Sequence, residues 1–210
     1  MEVHLKASEL VRASYNALLW VGKSAPWDVA YVVLLPEFVT IVTSDSYAVT
    51  EAEATVESHQ GTHSRLVRIS SDALKVIEKR ARDTKGLISL KATNDALIYA
   101  DEKAGEDLEF PDEFEESEYD EEESWDEINI RAFSDLLRER MEATDTHVFM
   151  VNPAYLRKFS MTKKDHPDDC ADVWARGSDP ILVKIGKTRT ALQTIDRERN
   201  AEALGEDKQW

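Results

Sequence analysis

The stretch SRLVRISSDALKVIEKRARDTKGLISLKATNDALIYADE, Ser64 to Glu102, reads as a strand, a helix and two further strands in succession. SRLVRIS leads into SSDALKVIEKRARDTKG, a helix bounded by a Ser/Asp start and a Gly86 stop. GLISLKAT, the turn-forming pair Asn94-Asp95 and ALIYADE follow. The same order stands upstream. EVHLKA alternates and leads into a helix from Ser8 to Trp20, with Leu10, Val11, Ser14, Ala17 and Leu18 on one face at helical spacing. The β-rich runs AYVVLLP, FVTIVTSD and YAVTEAEATV come next, parted by Pro36-Glu37 and Ser44-Asp45. A third copy begins at HVFMV, where Asn152-Pro153 supplies an N-cap and a first-turn proline for PAYLRKFSM; ADVWARG and ILVKIGKTRTALQTID complete it. The three helix starts, HLKASELVRA, RISSDALKVI and FMVNPAYLRK, each place a strand, a capping residue and a leucine followed closely by Arg or Lys. The expectation is an α+β fold made of repeated βαβββ-like units.

Charge is distributed unevenly along this pattern. From Asp101 to Glu127 there are 16 acidic residues against the single Lys103, so this window holds all but one of the chain's formal net charge of −16. The remaining chain is nearly neutral, and its folded parts are free to present a basic surface to a polyanion. The run itself has two readings. One is a solvated, self-repelling loop that buries too little apolar surface to order itself; the other is an acidic surface that imitates DNA phosphates. Phe110, Phe114, Tyr119 and Trp125 interrupt the run, an arrangement that allows part of it to be pinned to the folded body.

With 210 residues and 42% hydrophobic side chains, the chain suffices for one large or two small domains with a real core. One cysteine, Cys170, excludes an internal disulfide framework and fits a reducing compartment. No signal-peptide pattern opens the sequence and no apolar run reaches the ~18 residues of a membrane span, so a cytoplasmic protein is expected. His59 and His63 in SHQGTH, and DHPDDC from Asp165 to Cys170, have metal-ligand residue types without the spacing of a zinc site. Phosphate-cradling glycine loops and nucleophile motifs are absent. Neither a catalytic residue nor a cofactor is expected.

VTIVTSDSYAV (Val39 to Val49), FMVNPAYLRKFS (Phe149 to Ser160) and PILVKIGKTRTALQTID (Pro180 to Asp196), set in this repeated unit, resemble the DNA polymerase sliding clamps, in particular the bacterial beta clamp and its phage-encoded relatives. The resemblance implies antiparallel sheets with helices on one face, the helices lining a channel around duplex DNA, and a processivity factor that tethers a polymerase or other replication proteins, with homo-oligomers as the assembled form. It implies a complete clamp-like domain over 1–104, an acidic linker over 105–127, a shortened second domain over 128–200 and a tail over 201–210.

Lys75, Lys79 and Arg82 are spaced i, i+4 and i+7, so they leave one face of the second helix while Leu74, Ile77 and Ala81 occupy another. On the third helix Tyr155, Leu156 and Phe159 form the expected core side, leaving Arg157, Lys158 and Lys164 around the remaining arc with Lys163 at the end. Together with Arg12 these are the candidate DNA contacts, of a kind that reaches phosphates without reading bases. Two departures stand out. NIRAFSDLLRERME, with apolar Ile130, Phe133, Leu136 and Leu137, makes a helix without strands on its far side, and Leu192-Gln193-Thr194-Ile195 stands where the family carries a Met-Pro pair beside its partner-peptide groove. A second function therefore stays open, a clamp-like interaction protein acting as an inhibitor or decoy through its acidic segment. Replacing Glu115 to Glu123 with a short neutral linker is expected to leave thermal unfolding cooperative, with a Tm change of only about a few degrees, because the deleted charges mainly repel one another; collapse of the folded state would make the run's aromatics part of the core.

Overall fold

The computed structural model describes residues 1–25, 27–45, 47–101, 107–113, 153–166, 169–174 and 180–193. Its elements are β1 (Glu2–Lys6), α1 (Ala7–Leu18), β2 (Val29–Leu34), β3 (Phe38–Ser44), β4 (Ala48–Gln60), β5 (Arg65–Ser70), α2 (Ser71–Arg82), β6 (Leu87–Ala92), β7 (Ala96–Asp101), β8 (Leu108–Pro111), α3 (Pro153–Met161), β9 (Ala171–Trp174), β10 (Ile181–Ile185) and β11 (Thr188–Leu192). The HVFMV and NIRAFSDLLRERME segments, and the acidic run from Phe114 onward, lie outside the described residues.

The repeat read in the sequence is the architecture. β1-α1-β2-β3-β4 and β5-α2-β6-β7-β8 are two βαβββ units joined in one antiparallel sheet of order β5-β2-β3-β4-β1-β6-β7-β8. β1 lies between β4 of its own unit and β6 of the other. β5 occupies the matching place: it pairs with β2, and its far edge meets the chain leaving β8. There the Glu113 N–H donates to the Arg68 carbonyl at 2.8 Å, and the Arg68 N–H donates to Asp112 Oδ1 at 3.1 Å. The sheet thereby closes on itself.

Strand alternation turns one face of the strands of these two units toward the two helices. Val3 and Leu5, Ala30, Val32 and Leu34, Val39 and Ile41, Val67 and Ile69, Ile88 and Leu90, and Leu97 and Tyr99 all pack in one core with Leu10, Ala13 and Ala17 of α1 and Leu74, Ile77 and Ala81 of α2. The α2 start is capped by the Ser70 hydroxyl, which accepts from the Ala73 N–H at 3.1 Å. Ser8 plays no such part: α1 begins one residue earlier, at Ala7, behind an extended Lys6 that makes no side-chain cap. Gly86 sits at φ +137°, a backbone state open to glycine, and its carbonyl accepts from the Ala7 N–H at 2.9 Å as the chain turns into β6.

Two strands differ from the expectation. Leu108–Pro111, assigned to the acidic linker by composition, is a strand paired with β7, and Leu108 and Phe110 pack against the core while Glu109 faces out. β4 continues through His59 to Gln60, so His59 belongs to a strand and the turn begins at Gly61, at φ +96°.

The third unit supplies α3 and the ladder β9-β10-β11, whose last strand pairs antiparallel with the first half of β4, Thr188 opposite Ala52 through Leu192 opposite Ala48. Gly186 makes the β10–β11 turn at φ +57°, and a Cβ there would stand 1.8 Å from the Asp165 carboxylate. Only glycine fits both conditions. On α3, Tyr155 and Phe159 pack as expected, against Trp20 and, for Phe159, also against Ile181, Val183 and Ile185 of β10, but Leu156 is 57% exposed. Phe110→Ala is expected to destabilise the protein by about 1–2 kcal/mol in chemical denaturation, the scale of a half-buried aromatic; an unchanged midpoint would show that β8 does not help close the sheet.

Candidate nucleic-acid interface

α1 and α2 pack side by side, and the faces they turn away from the sheet form one surface. On α2 that surface carries Lys75, Lys79 and Arg82, all exposed, as the spacing requires, while Leu74, Ile77 and Ala81 are buried on the opposite side. Lys75 pairs with Asp72 at 2.7 Å, and Arg82 pairs with Glu78, a carboxylate 6% exposed. Lys79 makes no ion pair among the described residues. None of the half-buried side chains on this side of α1 is a cation: Val11, Tyr15 and Leu18 lie there.

Arg12 is placed elsewhere than the sequence suggested. It is 6% exposed and turned toward the junction with the third unit, where it donates to the Glu53 carbonyl at 2.7 Å and pairs with Glu9 at 3.0 Å and Asp165 at 2.9 Å. A guanidinium so enclosed is held by carboxylates of the protein and does not reach a phosphate. Lys158 is likewise committed: it pairs with Asp45, and its ammonium stands 4.7 Å from the centroid of the Trp20 ring and 5.0 Å from that of Tyr155. Arg157 and Lys164 are exposed. Lys163 does join the helix surface, with Nζ 4.0 Å from the centroid of the Tyr15 ring. Burial lowers the Lys163 ammonium from its usual value, while Glu78 raises it and Arg82 lowers it, so the three charges share one neighbourhood. The structure thus turns Lys75, Lys79 and Arg82 to the helix surface with Lys163 near Arg82, leaves Arg157 and Lys164 exposed, and withdraws Arg12 and Lys158 into the junction.

That junction was not visible in the sequence. Asn16 of α1, fully buried, bonds to Lys163 and to Thr188; Thr50 and Thr190 share a hydrogen bond of 2.9 Å between β4 and β11. Arg189 of β11 reaches Glu51 at 3.3 Å and Glu53 at 2.8 Å on β4. Lys187 donates to Glu9 Oε2 at 3.1 Å and to Thr55 Oγ1 at 2.6 Å. Asp165, singled out as a metal-ligand type, instead forms an ion pair with Arg12 and accepts from the Lys187 N–H. Among the described residues no group of three His, Cys, Asp or Glu could hold a metal ion, and no helix is long and apolar enough to cross a membrane. The alternation of Glu51 and Glu53 on β4 was the available signal, since two carboxylates on one face of a mostly apolar strand demand cationic partners.

Burial alone would raise the Glu9 carboxyl, but the Thr55 N–H, Arg12 and Lys187 overcome it and hold the group at about 2, against an ordinary 4.5. A depressed folded pKa contributes stability that is complete above about pH 4.5 and is lost as pH falls toward 2. Glu9→Gln is therefore expected to flatten the acid limb of the stability–pH curve between pH 5 and 2; equal slopes for the two proteins in this window would show that the junction does not act through Glu9.

No family model matches the chain, and no curated protein matches it in sequence. Solved structures do match in fold. The DNA polymerase III beta subunit of Thermotoga maritima is similar over 93% of this chain and 64% of its own, with a TM-score of 0.64 and 14% identity. The Helicobacter pylori beta clamp bound to a DNA ligase peptide is similar over 93% and 66%, with a TM-score of 0.63 and 12% identity. The DNA polymerase III subunit beta of Pseudomonas aeruginosa is similar over 98% and 68%, with a TM-score of 0.66 and 9% identity. The chain thus spans about two thirds of the length of these proteins, 64% of the first. The fold that these βαβββ units build is that of the bacterial DNA polymerase sliding clamps.

Proposed function

We propose that the protein is a sliding-clamp-type processivity factor, without catalytic chemistry of its own, that holds duplex DNA through the α1–α2 face and tethers replication proteins. The observation that carries this reading is a clamp fold whose helix layer turns Lys75, Lys79 and Arg82 to solvent on the side away from the sheet. Ammonium and guanidinium groups so arranged attract phosphates and read no base edge, which is what movement along DNA requires. Tethering draws support from the Helicobacter pylori clamp, which holds a DNA ligase peptide. The division that fits the pairing is a first domain continuing through Glu113 and a shortened second domain, represented by α3 and β9 to β11, with homo-oligomeric assembly in the cytoplasm. The decoy reading loses ground because Leu108–Pro111, near the start of the acidic run, is committed to the sheet.

Changing Lys75, Lys79 and Arg82 together to Ala is expected to weaken binding about equally for all duplex sequences, and to lower the slope of log affinity against log salt by about 0.9 for each phosphate that is no longer neutralised. Anisotropy titrations over a range of salt read both quantities. Failure of the unaltered protein to bind duplex DNA at low salt, or an unchanged slope in the triple variant, would overturn the reading.

A further inference from the structure

Lys163 is gripped at its backbone and at its side chain by two successive residues of α1. The Lys163 N–H donates to Asn16 Oδ1 at 2.8 Å, and Asn16 Nδ2 donates back to the Lys163 carbonyl at 2.9 Å and across to Thr188 Oγ1 at 2.8 Å. The carboxamide of Asn16, fully buried, thus fixes the peptide of one loop residue from both sides and ties it to β11. Tyr15, the preceding residue, points to the α1–α2 surface and places its ring 4.0 Å, centroid to Nζ, from the Lys163 ammonium. A long flexible side chain is ordinarily free at the end of a helix; here its origin and its path are both set.

We infer that Tyr15 and Asn16 are positioning residues that present the Lys163 ammonium on the α1–α2 face as a phosphate contact, so that docking of the third βαβββ unit completes the DNA-binding surface. The inference rests on the DNA reading above. It assigns to that surface a cation from a part of the chain about 80 residues beyond α2, and makes the junction and the DNA site one structure. Cation–π contact is compatible with phosphate binding, since the ring face takes one side of the ammonium and leaves its N–H donors on the others.

The test uses the whole chain and duplex DNA over a range of salt. Lys163→Ala is expected to lower the salt slope by about 0.9, the share of one neutralised phosphate, and Lys163→Arg to keep it. Asn16→Ala should lower it by the same amount and add nothing to Lys163→Ala, because a mispositioned lysine and a missing one are equivalent in a double-mutant cycle. Where Asn16→Ala no longer melts cooperatively, Tyr15→Leu carries the same test, since it keeps apolar bulk on the surface and removes the ring; a lowered slope is again expected. Binding that responds to the Lys75, Lys79 and Arg82 substitutions but not to Lys163→Ala, or full additivity of the Lys163 variant with the Asn16 or Tyr15 variant, overturns this inference and leaves the DNA reading in place. Absence of duplex binding by the unaltered protein overturns both.

Discussion

The structure depends on one strand that belongs to two bodies. β4 runs for 13 residues; along one edge it pairs with β3, while its other edge is divided, the first half taking β11 and the second half β1. The register shift between His4 and Leu5 falls in the β1 pairing. Such a strand cannot slip without moving apolar residues out of both bodies, because a shift of one residue exchanges its two faces. Its charges sharpen the constraint. On β4 Glu51 is buried and Glu53 largely so, a placement that costs several kcal/mol unless each carboxylate is paired, and Arg189, directly opposite Glu51, supplies the pairing from β11. Only the register with Thr188 against Ala52 brings them together.

Around that strand the polar groups are sorted by task. Those facing the junction are engaged within the protein: Glu9, Arg12, Asp165, Lys187 and Asn16 form linked contacts between α1, β4 and the third unit. Those on the outer side of α2 remain exposed, with Asp72 and Glu78 beside Lys75 and Arg82. The Lys75–Asp72 pair, exposed on both sides, contributes little to stability, and both carboxylates moderate the field around their cations. On the proposed reading, a modest field suits a surface that holds DNA without fixing its position. The concentration of acid between Asp101 and Glu127 leaves the rest of the chain near neutrality, so the strongly acidic composition does not describe the helix face.

Much of this was legible in the sequence, and the exceptions have a common cause. Helix and strand periodicity, the Ser70 cap and the first-turn Pro153 are local signals, and each marks the element it predicts. The second unit's last strand escaped notice because Leu108 and Phe110 are only two apolar positions among acidic neighbours, and their burial becomes evident when β7 is seen beside them. Arg12 and Lys158 have the residue type and helical setting of phosphate contacts. Their fate is decided by Asp165 and Asp45, more than 100 positions away in the chain, and by Trp20. Leu156 satisfies the periodicity of a core position yet meets no cover among the described residues. Local pattern specifies which face of an element is apolar; it does not specify which partner arrives at the other.

On the proposed reading, this clamp-like chain holds DNA by enclosing it as well as by charge. Retention on circular DNA tests this most directly. Protein assembled on nicked circular duplex in the presence of a clamp loader is predicted to remain bound through a high-salt wash that strips electrostatic contacts, and to leave when the circle is cut once. Release by salt from intact circles at the same rate as from linear DNA would contradict enclosure, leaving a clamp fold that binds DNA by surface charge alone.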